Sequence, residues 1–257
     1  MELNKDNYFS TDANTNYWSV SQFKTFKDCE ARAIAELNGE YVRPETKDLL
    51  IGSYVDAYFS GELDTFIGNH PELFNKRTGE LKADYKRCDG IIKVADSDPM
   101  FMDYLDGDKQ VIMTGELFGV RWKIKVDVLH DDKIVDLKVM RDMQPMFKDG
   151  ERKTFIDAWG YDIQGFVYQQ IVKANTGKTL PFYLAVVTKE PTPDHEVIHI
   201  PDYRLNSAGE LVKHYIKRYD KVKHGTEEPT ACGTCDWCRS QKKITKPLEY
   251  EELIERL

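Results

Sequence analysis

The chain contains 257 residues, 41% of them hydrophobic and 12% aromatic, which is enough to bury one sizeable core and predicts a globular protein. It has no apolar run near the about 20 residues that a membrane span requires, and its first residues are polar, unlike a secretory leader. Five cysteines fit a reducing compartment better than a secreted disulfide framework, so we expect a cytoplasmic protein, although a net charge of −8 is unusual for a nucleic-acid binder.

The first part of the chain is predicted to be mainly helical. Residues 1–18 lack hydrophobic periodicity and are interpreted as a loose N-terminal arm. A capping box then begins at Ser19, and apolar residues follow at helical spacing until Gly39, which predicts one helix. A second apolar stretch over 49–59 predicts another helix, and the mixed composition of 60–109 predicts short helices that cover one side of the fold.

Strand patterns dominate residues 110–139. In the run RWKIKVDVL, apolar and polar residues alternate, which places Asp127 on the polar side of a strand. In the next run, KIVDLKV, Asp136 and Lys138 share one side. The polar HDDK between the two runs is short enough to turn a hairpin, so we expect two carboxylates and an ammonium to converge across paired strands.

The remaining elements complete an α/β pattern. Residues 154–174 have the apolar spacing of a long helix, LPFYLAVVT is apolar on both faces like a central strand, and EVIHIP follows as another strand. A last helix is predicted over 211–224. The expected fold is a mixed central sheet, containing an antiparallel meander, flanked by helices.

The three converging groups suit phosphodiester hydrolysis. Mg²⁺ (or Mn²⁺) prefers carboxylate oxygens, activates a water and neutralises charge on the leaving oxygen, so Asp127 and Asp136 are candidate ligands. Lys138 would position the water or stabilise the pentacovalent phosphate. The alternative is that all three decorate the solvated face of a hairpin. That alternative loses weight because Asp136 and Lys138 interrupt an apolar run, where unpaired charge is costly.

Further candidates lie elsewhere in the chain. Asp56 stands between apolar residues of its predicted helix and needs a partner, which a metal ion would provide. Glu116, near two glycines, is a candidate third acid. Tyr161, Gln164 and Tyr168 share a helix face and could present an amide and phenols to the metal or the scissile strand, or could simply be amphipathic core residues.

The cysteines form a second candidate site. Cys232, Cys235 and Cys238 have the spacing C-x-x-C-x-x-C, which is more typical of a [4Fe-4S] cluster than of structural Zn²⁺, and Cys29 would be the fourth ligand. Zn²⁺ and free thiols remain the alternatives. Cys88 is expected to be a plain buried thiol.

These motifs resemble a known family. IVDLKV preceded by KIKVDVL, with YDIQGFVY downstream and IGSYVDA upstream, is similar to the PD-(D/E)XK nuclease superfamily, and in particular to the RecE-type (exodeoxyribonuclease VIII-like) and RecB-like exonucleases of phages and prophages. The resemblance covers about residues 19–239. It implies a restriction-endonuclease-like core, Mg²⁺-dependent cleavage of linear duplex DNA, a ring-shaped homo-oligomer and a strand-annealing recombinase as partner in a bacterial host.

The resemblance also assigns roles by position. Asp127 and Asp136 match the metal carboxylates, Leu137 would lend its backbone carbonyl, and Lys138 matches the catalytic lysine. Two further residues match the family's glutamine-tyrosine motif, namely Gln164 and Tyr168. Where many relatives have a histidine, this chain has Asp56, which is a harder ligand for the metal. Similar nucleases use one early and three late cysteines to staple the ends of the domain.

The expected organisation is a single nuclease domain over 19–246, with a cysteine-rich staple at 228–240 and an acidic tail at 247–257. Two alternatives keep the fold without catalysis: a nucleic-acid-binding protein and a metal-stapled interaction protein. A motor function is disfavoured, because TGKT at 176–179 lacks the earlier glycine of a phosphate-binding loop and has Val172 in its place.

Overall fold

A computed structural model describes residues 2–148, 150–247 and 249–251, except the side chain of residue 84. Its helices are α1 (Thr11–Asn16), α2 (Val20–Asp28), α3 (Glu30–Leu37), α4 (Lys47–Ser60), α5 (Leu63–Asn69), α6 (Ala83–Asp96), α7 (Pro99–Leu105), α8 (Phe155–Trp159), α9 (Tyr161–Thr176), α10 (Asp202–Lys223) and α11 (Asp236–Ser240), with a 3₁₀ turn at Pro71–Leu73. Its strands are β1 (Asp108–Leu117), β2 (Val120–Leu129), β3 (Ile134–Met140), β4 (Met146–Lys148), β5 (Glu151–Lys153), β6 (Phe182–Thr188) and β7 (His195–Ile200). Within these ranges no helix is both long and apolar enough to cross a membrane.

Five strands form the central sheet in the order β1-β2-β3-β6-β7. The first three strands make an antiparallel meander, β3 and β6 are parallel, and β7 is antiparallel to β6. The parallel step needs a crossover, which contains α9. The predicted mixed sheet with its antiparallel meander is therefore confirmed, and β4 and β5 form a separate small hairpin.

Helices cover both faces of this sheet, because its strands present apolar residues to each side. One core, beneath α2, α9 and α10, includes Phe23, Trp122, Ile124, Val167, Phe182 and Ile216. The other, beneath α4, α6 and α7, includes Ile51, Val55, Ile91, Val135, Leu137 and Ala185. Since side chains alternate along a strand, Val135 and Leu137 of β3 enter the second core, whereas Asp136 and Lys138 face the side of α9.

The N-terminal segment is not the loose arm that its polar composition predicts. It contains α1, and its aromatic residues Tyr8, Tyr17 and Trp18 are buried. Trp18 pairs with β2: its N–H donates to the carbonyl of Arg121 (2.7 Å), and its carbonyl accepts from the N–H of Lys123 (2.8 Å). The segment is held by a few buried aromatic side chains and by backbone hydrogen bonds to β2. Neither kind of contact produces a periodic hydrophobic pattern in the sequence, which is why the pattern predicted a loose arm.

Two predicted helices are each divided by one residue. The helix expected from Ser19 to Gly39 ends at Cys29, whose backbone is extended (φ −167°, ψ 111°), and resumes as α3. The helix expected over 154–174 is interrupted at Gly160, which adopts the left-handed conformation (φ 63°) between α8 and α9. The helix expected over 211–224 begins earlier, at Asp202.

The helices predicted over 49–59 and 60–109 are confirmed as α4 to α7. The acidic tail predicted over 247–257 falls largely on residues 248 and 252–257, which lie outside the described residues.

Candidate active site

The candidate site lies where β2 and β3 separate. Their ladder joins Val128 to Val135 and Leu129 to Ile134. Beyond these pairs β3 continues alongside β6, while β2 continues alongside β1 and Trp18. We call the resulting opening the fork. Its first residues are Asp127 on β2 and Asp136 on β3, as the predicted hairpin requires.

A side chain bridges the two arms of the fork. The carboxylate of Asp127 accepts a hydrogen bond from the backbone N–H of Leu137 through Oδ2 (3.0 Å). The Leu137 carbonyl, in turn, lies 3.3 Å from Nζ of Lys138. The fork therefore presents a carboxylate and a backbone carbonyl next to each other, and both are hard oxygen ligands.

Asp136 is the most enclosed of the acids, with 1% of its surface exposed. Its Oδ1 accepts a hydrogen bond from Nε2 of Gln164 on α9 (2.5 Å), and its Oδ2 forms an ion pair with Lys138. Despite that contact, Oδ2 accepts no well-directed hydrogen bond from any residue that the structure describes. The nearest partner of this oxygen is already a cation, the ammonium of Lys138, so its surroundings favour positive charge.

The face of α9 predicted from sequence does meet the fork. The hydroxyl of Tyr168 donates to the carbonyl of Lys125 on β2 (3.0 Å), which ties the helix to that strand. The ring of Tyr161 lies under the ammonium of Lys138, 5.3 Å from its centroid. Gln164 and Tyr161 thus position the two charged residues of β3, and Tyr168 positions β2.

Asp56 belongs to α4, which packs on β3 from the opposite side of the sheet. Burial raises the pKa of its carboxyl, while the charges of Lys138 and Lys125 lower it and that of Asp136 raises it again. Asp56 therefore lies within electrostatic range of the fork, and its role as a third carboxylate stays a prediction.

The electrostatics of the fork favour a cation. Burial raises the pKa of Asp127 well above its usual value, and the neighbouring Asp136 raises it further. Burial opposes charge on Lys138, but the carboxylates of Asp136 and Asp127 outweigh it and raise its pKa, so the lysine stays protonated at neutral pH. The two carboxylates of the fork outnumber the ammonium of Lys138, and a divalent ion would offset the remaining repulsion between them.

The donor set therefore fits Mg²⁺ or Mn²⁺. Two carboxylates, those of Asp127 and Asp136, stand beside the backbone carbonyl of Leu137 in a largely buried opening, and within the described residues no third acid joins them in a group whose oxygens all lie within 4.8 Å of one another. The residues that would hold the ion are Asp127, Asp136 and the carbonyl of Leu137, with Asp56 as the predicted third carboxylate.

Glu116 is not part of the site, which corrects the prediction of a third acid there. It is exposed and lies opposite Arg121, beside the turn between β1 and β2. Asp127 is six residues from Arg121 along the same strand, which corresponds to about 20 Å. The glycines around Glu116 belong to that distant end of the hairpin.

Sequence reasoning missed two residues at the fork. Gln110 of β1 is buried with a left-handed backbone (φ 55°), and its Nε2 lies 3.4 Å from Oδ1 of Asp127. Lys24 of α2 interacts with Lys138, and burial and that charge lower the pKa of Lys24 to about 8. The sequence pattern does not single out Gln110, because its contact with Asp127 depends on how β1 and β2 align in the sheet. Lys24 has the sequence context of any polar residue in an amphipathic helix, so the pattern does not mark it as part of a site.

A cavity of about 1080 Å³ opens beside the fork and includes Lys24 and Tyr161 in its wall. The small β4–β5 hairpin contributes Lys148 and Arg152, and Trp159 adds an aromatic surface. Eight basic side chains line it, namely Lys24, Lys27, Arg43, Lys123, Lys148, Arg152, Lys153 and Arg204. The five acidic ones are Asp28, Glu36, Glu151, Asp157 and Asp162, so the cavity is more positive than the chain as a whole.

The cysteines meet at a separate place, as predicted. The sulfurs of Cys29, Cys232, Cys235 and Cys238 all lie within 4.8 Å of one another. Cys88 belongs to α6 and is buried in the second core, away from this group.

The fold and the fork define a restriction-endonuclease-like protein, with two acids and a lysine on diverging strands of a mixed sheet. Residues 19–241 match the family described as a PDDEXK-like domain of unknown function (DUF3799), and the chain belongs to that family. The predicted resemblance to PD-(D/E)XK nucleases is confirmed at this level.

Solved structures agree with this membership. The chain is similar to a crystal structure of a candidate exonuclease from Eubacterium rectale, with 44% identity, a TM-score of 0.93 and 98% of each chain covered. A comparison with curated proteins found no match. Together the family and this structure support nuclease activity.

Proposed function

We propose that the protein is an Mg²⁺-dependent (or Mn²⁺-dependent) exodeoxyribonuclease that hydrolyses phosphodiester bonds of linear duplex DNA. The observation that carries the proposal is the fork itself: Asp127, Asp136 and Lys138 converge, and Gln164 fixes Asp136 from α9. A structural ion pair between Asp136 and Lys138 would need neither the second carboxylate of Asp127 nor the hydrogen bond from Gln164.

Each residue of the fork has a separate task. When bound, the metal would supply Lewis-acid activation of water and of the phosphate. The permanently charged Lys138 would stabilise negative charge on the phosphate during attack and orient the nucleophile. Gln164 keeps Asp136 in the rotamer that points into the fork, and the hydrogen bond from Tyr168 holds β2 at a fixed distance from α9.

DNA as substrate is supported by the basic cavity beside the fork. Phosphates bind lysine and arginine with release of counterions, and Trp159 offers a ring on which an unpaired base could stack. The similar protein from Eubacterium rectale is described as a candidate exonuclease, which favours cleavage from DNA ends.

The biological setting follows from the resemblance to RecE-type enzymes. We infer a phage or prophage enzyme that acts in the bacterial cytoplasm, resects DNA for homologous recombination, assembles as a homo-oligomer and works with a strand-annealing recombinase. One domain over 19–246 would carry the activity.

The test uses end-labelled linear, nicked and covalently closed circular duplexes with Mg²⁺. We expect the linear duplex to be degraded from its ends while the closed circle stays intact. Cleavage of the closed circle would make the protein an endonuclease instead. Binding of DNA without cleavage of any substrate, in Mg²⁺ or in Mn²⁺, would favour the non-catalytic alternative.

A further inference from the structure

The four clustered cysteines join segments that are far apart in the chain. Cys29 lies between α2 and α3, where it ends one helix and caps the next through its sulfur, which accepts from the N–H of Arg32 (3.5 Å). The other three lie in and before the short helix α11, near the end of the described chain. The sequence separation between Cys29 and Cys238 is 209 residues.

The distances between the sulfurs distinguish a single ion from a cluster. A tetrahedral ion with metal–sulfur bonds of about 2.3 Å separates its ligand sulfurs by about 3.8 Å. The Sγ atoms of Cys29 and Cys238 are 3.6 Å apart, those of Cys232 and Cys238 are 3.9 Å apart, and all four lie within 4.8 Å. In a [4Fe-4S] cluster each thiolate binds a different iron, so the sulfurs must be spaced more widely.

Backbone donors already surround these sulfurs. The N–H of Cys232 points to the sulfur of Cys29 (3.5 Å), that of Cys235 to Cys232 (3.3 Å) and that of Cys238 to Cys235 (3.5 Å). Such hydrogen bonds stabilise thiolates and orient them as ligands. Free thiols in a surface segment would have no need of this arrangement.

An ion pair between the buried Glu30 and the partly exposed Arg218 holds the same two segments in register. The carboxylate of Glu30, next to Cys29, accepts two hydrogen bonds from Arg218 and one from the N–H of Thr230, each 2.8 Å long. The N–H of Ala31 also donates to the carbonyl of Thr230 (3.1 Å). The cysteines therefore meet on a frame that positions them before an ion binds.

The geometry points to one Zn²⁺ ion held by the thiolates of Cys29, Cys232, Cys235 and Cys238, rather than to the [4Fe-4S] cluster that the cysteine spacing predicts. Because all four positions of the ion are taken by thiolates, the site is structural and binds no substrate. The ion fastens the segment of residues 232–238 to the junction of α2 and α3. Since α2 also carries Lys24, the zinc site is connected through this helix to the fork. The metal of this site is independent of the metal at the fork.

The test is elemental analysis of the full chain, purified without oxygen and dialysed against a chelator. We expect one zinc per chain, no iron or acid-labile sulfide, and no brown colour. Replacement of the zinc by Co²⁺ should give the visible absorption of tetrahedral thiolate coordination. Stoichiometric iron and sulfide, or a chain that retains no metal, would overturn the assignment.

Two variants connect the metal to these residues. Cys232→Ser changes an exposed ligand, so the chain should still fold, but it should lose zinc to the chelator and be cut faster by protease within 226–240. Cys88→Ala is the matched control, since it removes the cysteine outside the group, and it should retain the zinc. If Cys232→Ser retains zinc as firmly as the control does, the ion lies elsewhere and the proposal is wrong. DNA cleavage is not the readout, so this outcome is separable from the nuclease proposal.

Discussion

Asp136 is held from two sides, by the amide of Gln164 and by the ammonium of Lys138, and one of its oxygens still receives no directed hydrogen bond. A carboxylate buried in this way loses its hydration, and a well-packed apolar side chain in its place would carry no such cost. This is expected at a site selected to bind an ion rather than to stabilise the fold.

We predict that Asp136→Asn removes nearly all cleavage activity while the protein stays folded. The amide keeps the shape but removes the ligand charge, and the loss of about 3 kcal/mol of transition-state stabilisation corresponds to about 100-fold or more in rate. The measurement is the single-turnover rate on linear duplex with Mg²⁺. Asp132→Asn, on an exposed residue between β2 and β3, is the control and should be fully active.

Gln110 combines a left-handed backbone with a contact to Asp127, and its Oε1 is buried without a hydrogen-bond partner among the described residues. A non-glycine residue with positive φ costs about 1 kcal/mol or more, so the strain suggests a functional role.

We predict that Gln110→Gly lowers the cleavage rate by about tenfold and changes the free energy of unfolding little, because relief of backbone strain offsets the lost side-chain contacts. Steady-state kinetics and urea denaturation measure the two effects. The matched control is Phe118→Gly, at the other non-glycine residue with positive φ in the described chain, and it should leave the rate unchanged. Equal effects of both variants on cleavage would refute a positioning role for Gln110.

At the scale of elements, the N-terminal segment is fastened to β2 and α10 by two enclosed lysines. Lys123 donates to the carbonyl of Tyr8 and to Asn14 (2.7 Å), and Lys223 donates to the carbonyl of Tyr17 (2.8 Å) and to Gln22 (3.2 Å). Burial lowers the pKa of Lys223 to about 7 and that of Lys123 to about 8.

This docking makes stability depend on pH. Between about pH 7 and the ordinary lysine pKa near 10.5, Lys223 is neutral in the folded chain but charged in the unfolded chain. The unfolded state therefore binds more protons, and stability rises with pH across this window. We predict that the free energy of unfolding contributed by this group increases by about 1–2 kcal/mol from pH 7 to pH 9.

Urea denaturation at pH 7, 8 and 9 would measure this effect. The variant Lys223→Met, which cannot titrate, should show a smaller rise than the unaltered protein. Lys221→Met is the control, since it changes an exposed lysine of the same helix, and it should keep the full rise. A rise that is the same in all three proteins would contradict the role given to Lys223.

Some helices, strands and site residues could be predicted from the sequence, and others could not. A hairpin is local, so alternation within two short runs was enough to bring Asp127, Asp136 and Lys138 together. The division at Cys29 was not predictable, because apolar spacing continues on both sides of it. The N-terminal segment was misjudged since its anchoring partners, Lys123 and Lys223, lie more than a hundred residues away. The role of Gln164 came from family resemblance, as spacing alone equally allowed a core residue.

For the whole molecule, the distribution of charge matters more than its sum. The chain carries a net charge of −8, yet the cavity beside the fork has eight basic and five acidic side chains in its wall. Repulsion of DNA by the acidic body and attraction by the cavity would favour approach in one orientation.

We predict that Arg152→Gln weakens DNA binding to a similar extent for unrelated DNA sequences. The slope of the logarithm of the binding constant against the logarithm of the salt concentration should fall by about the amount that one phosphate contact contributes. Fluorescence anisotropy over a range of salt concentrations, in Ca²⁺ to prevent cleavage, would measure both. Lys76→Gln removes an equal charge from an exposed residue outside the cavity wall and serves as the control. Indistinguishable behaviour of the two variants would place the DNA elsewhere.

The meeting of Cys29 with Cys238 also constrains how the protein is made. The ribosome releases Cys29 early, but its partner sulfurs emerge about two hundred residues later. During most of synthesis, the junction of α2 and α3 therefore lacks the contacts that fasten it. Nascent chains stalled before residue 232 would expose this junction to chaperones and proteases, and a truncation before residue 232 would disturb a helix that is encoded about two hundred residues earlier.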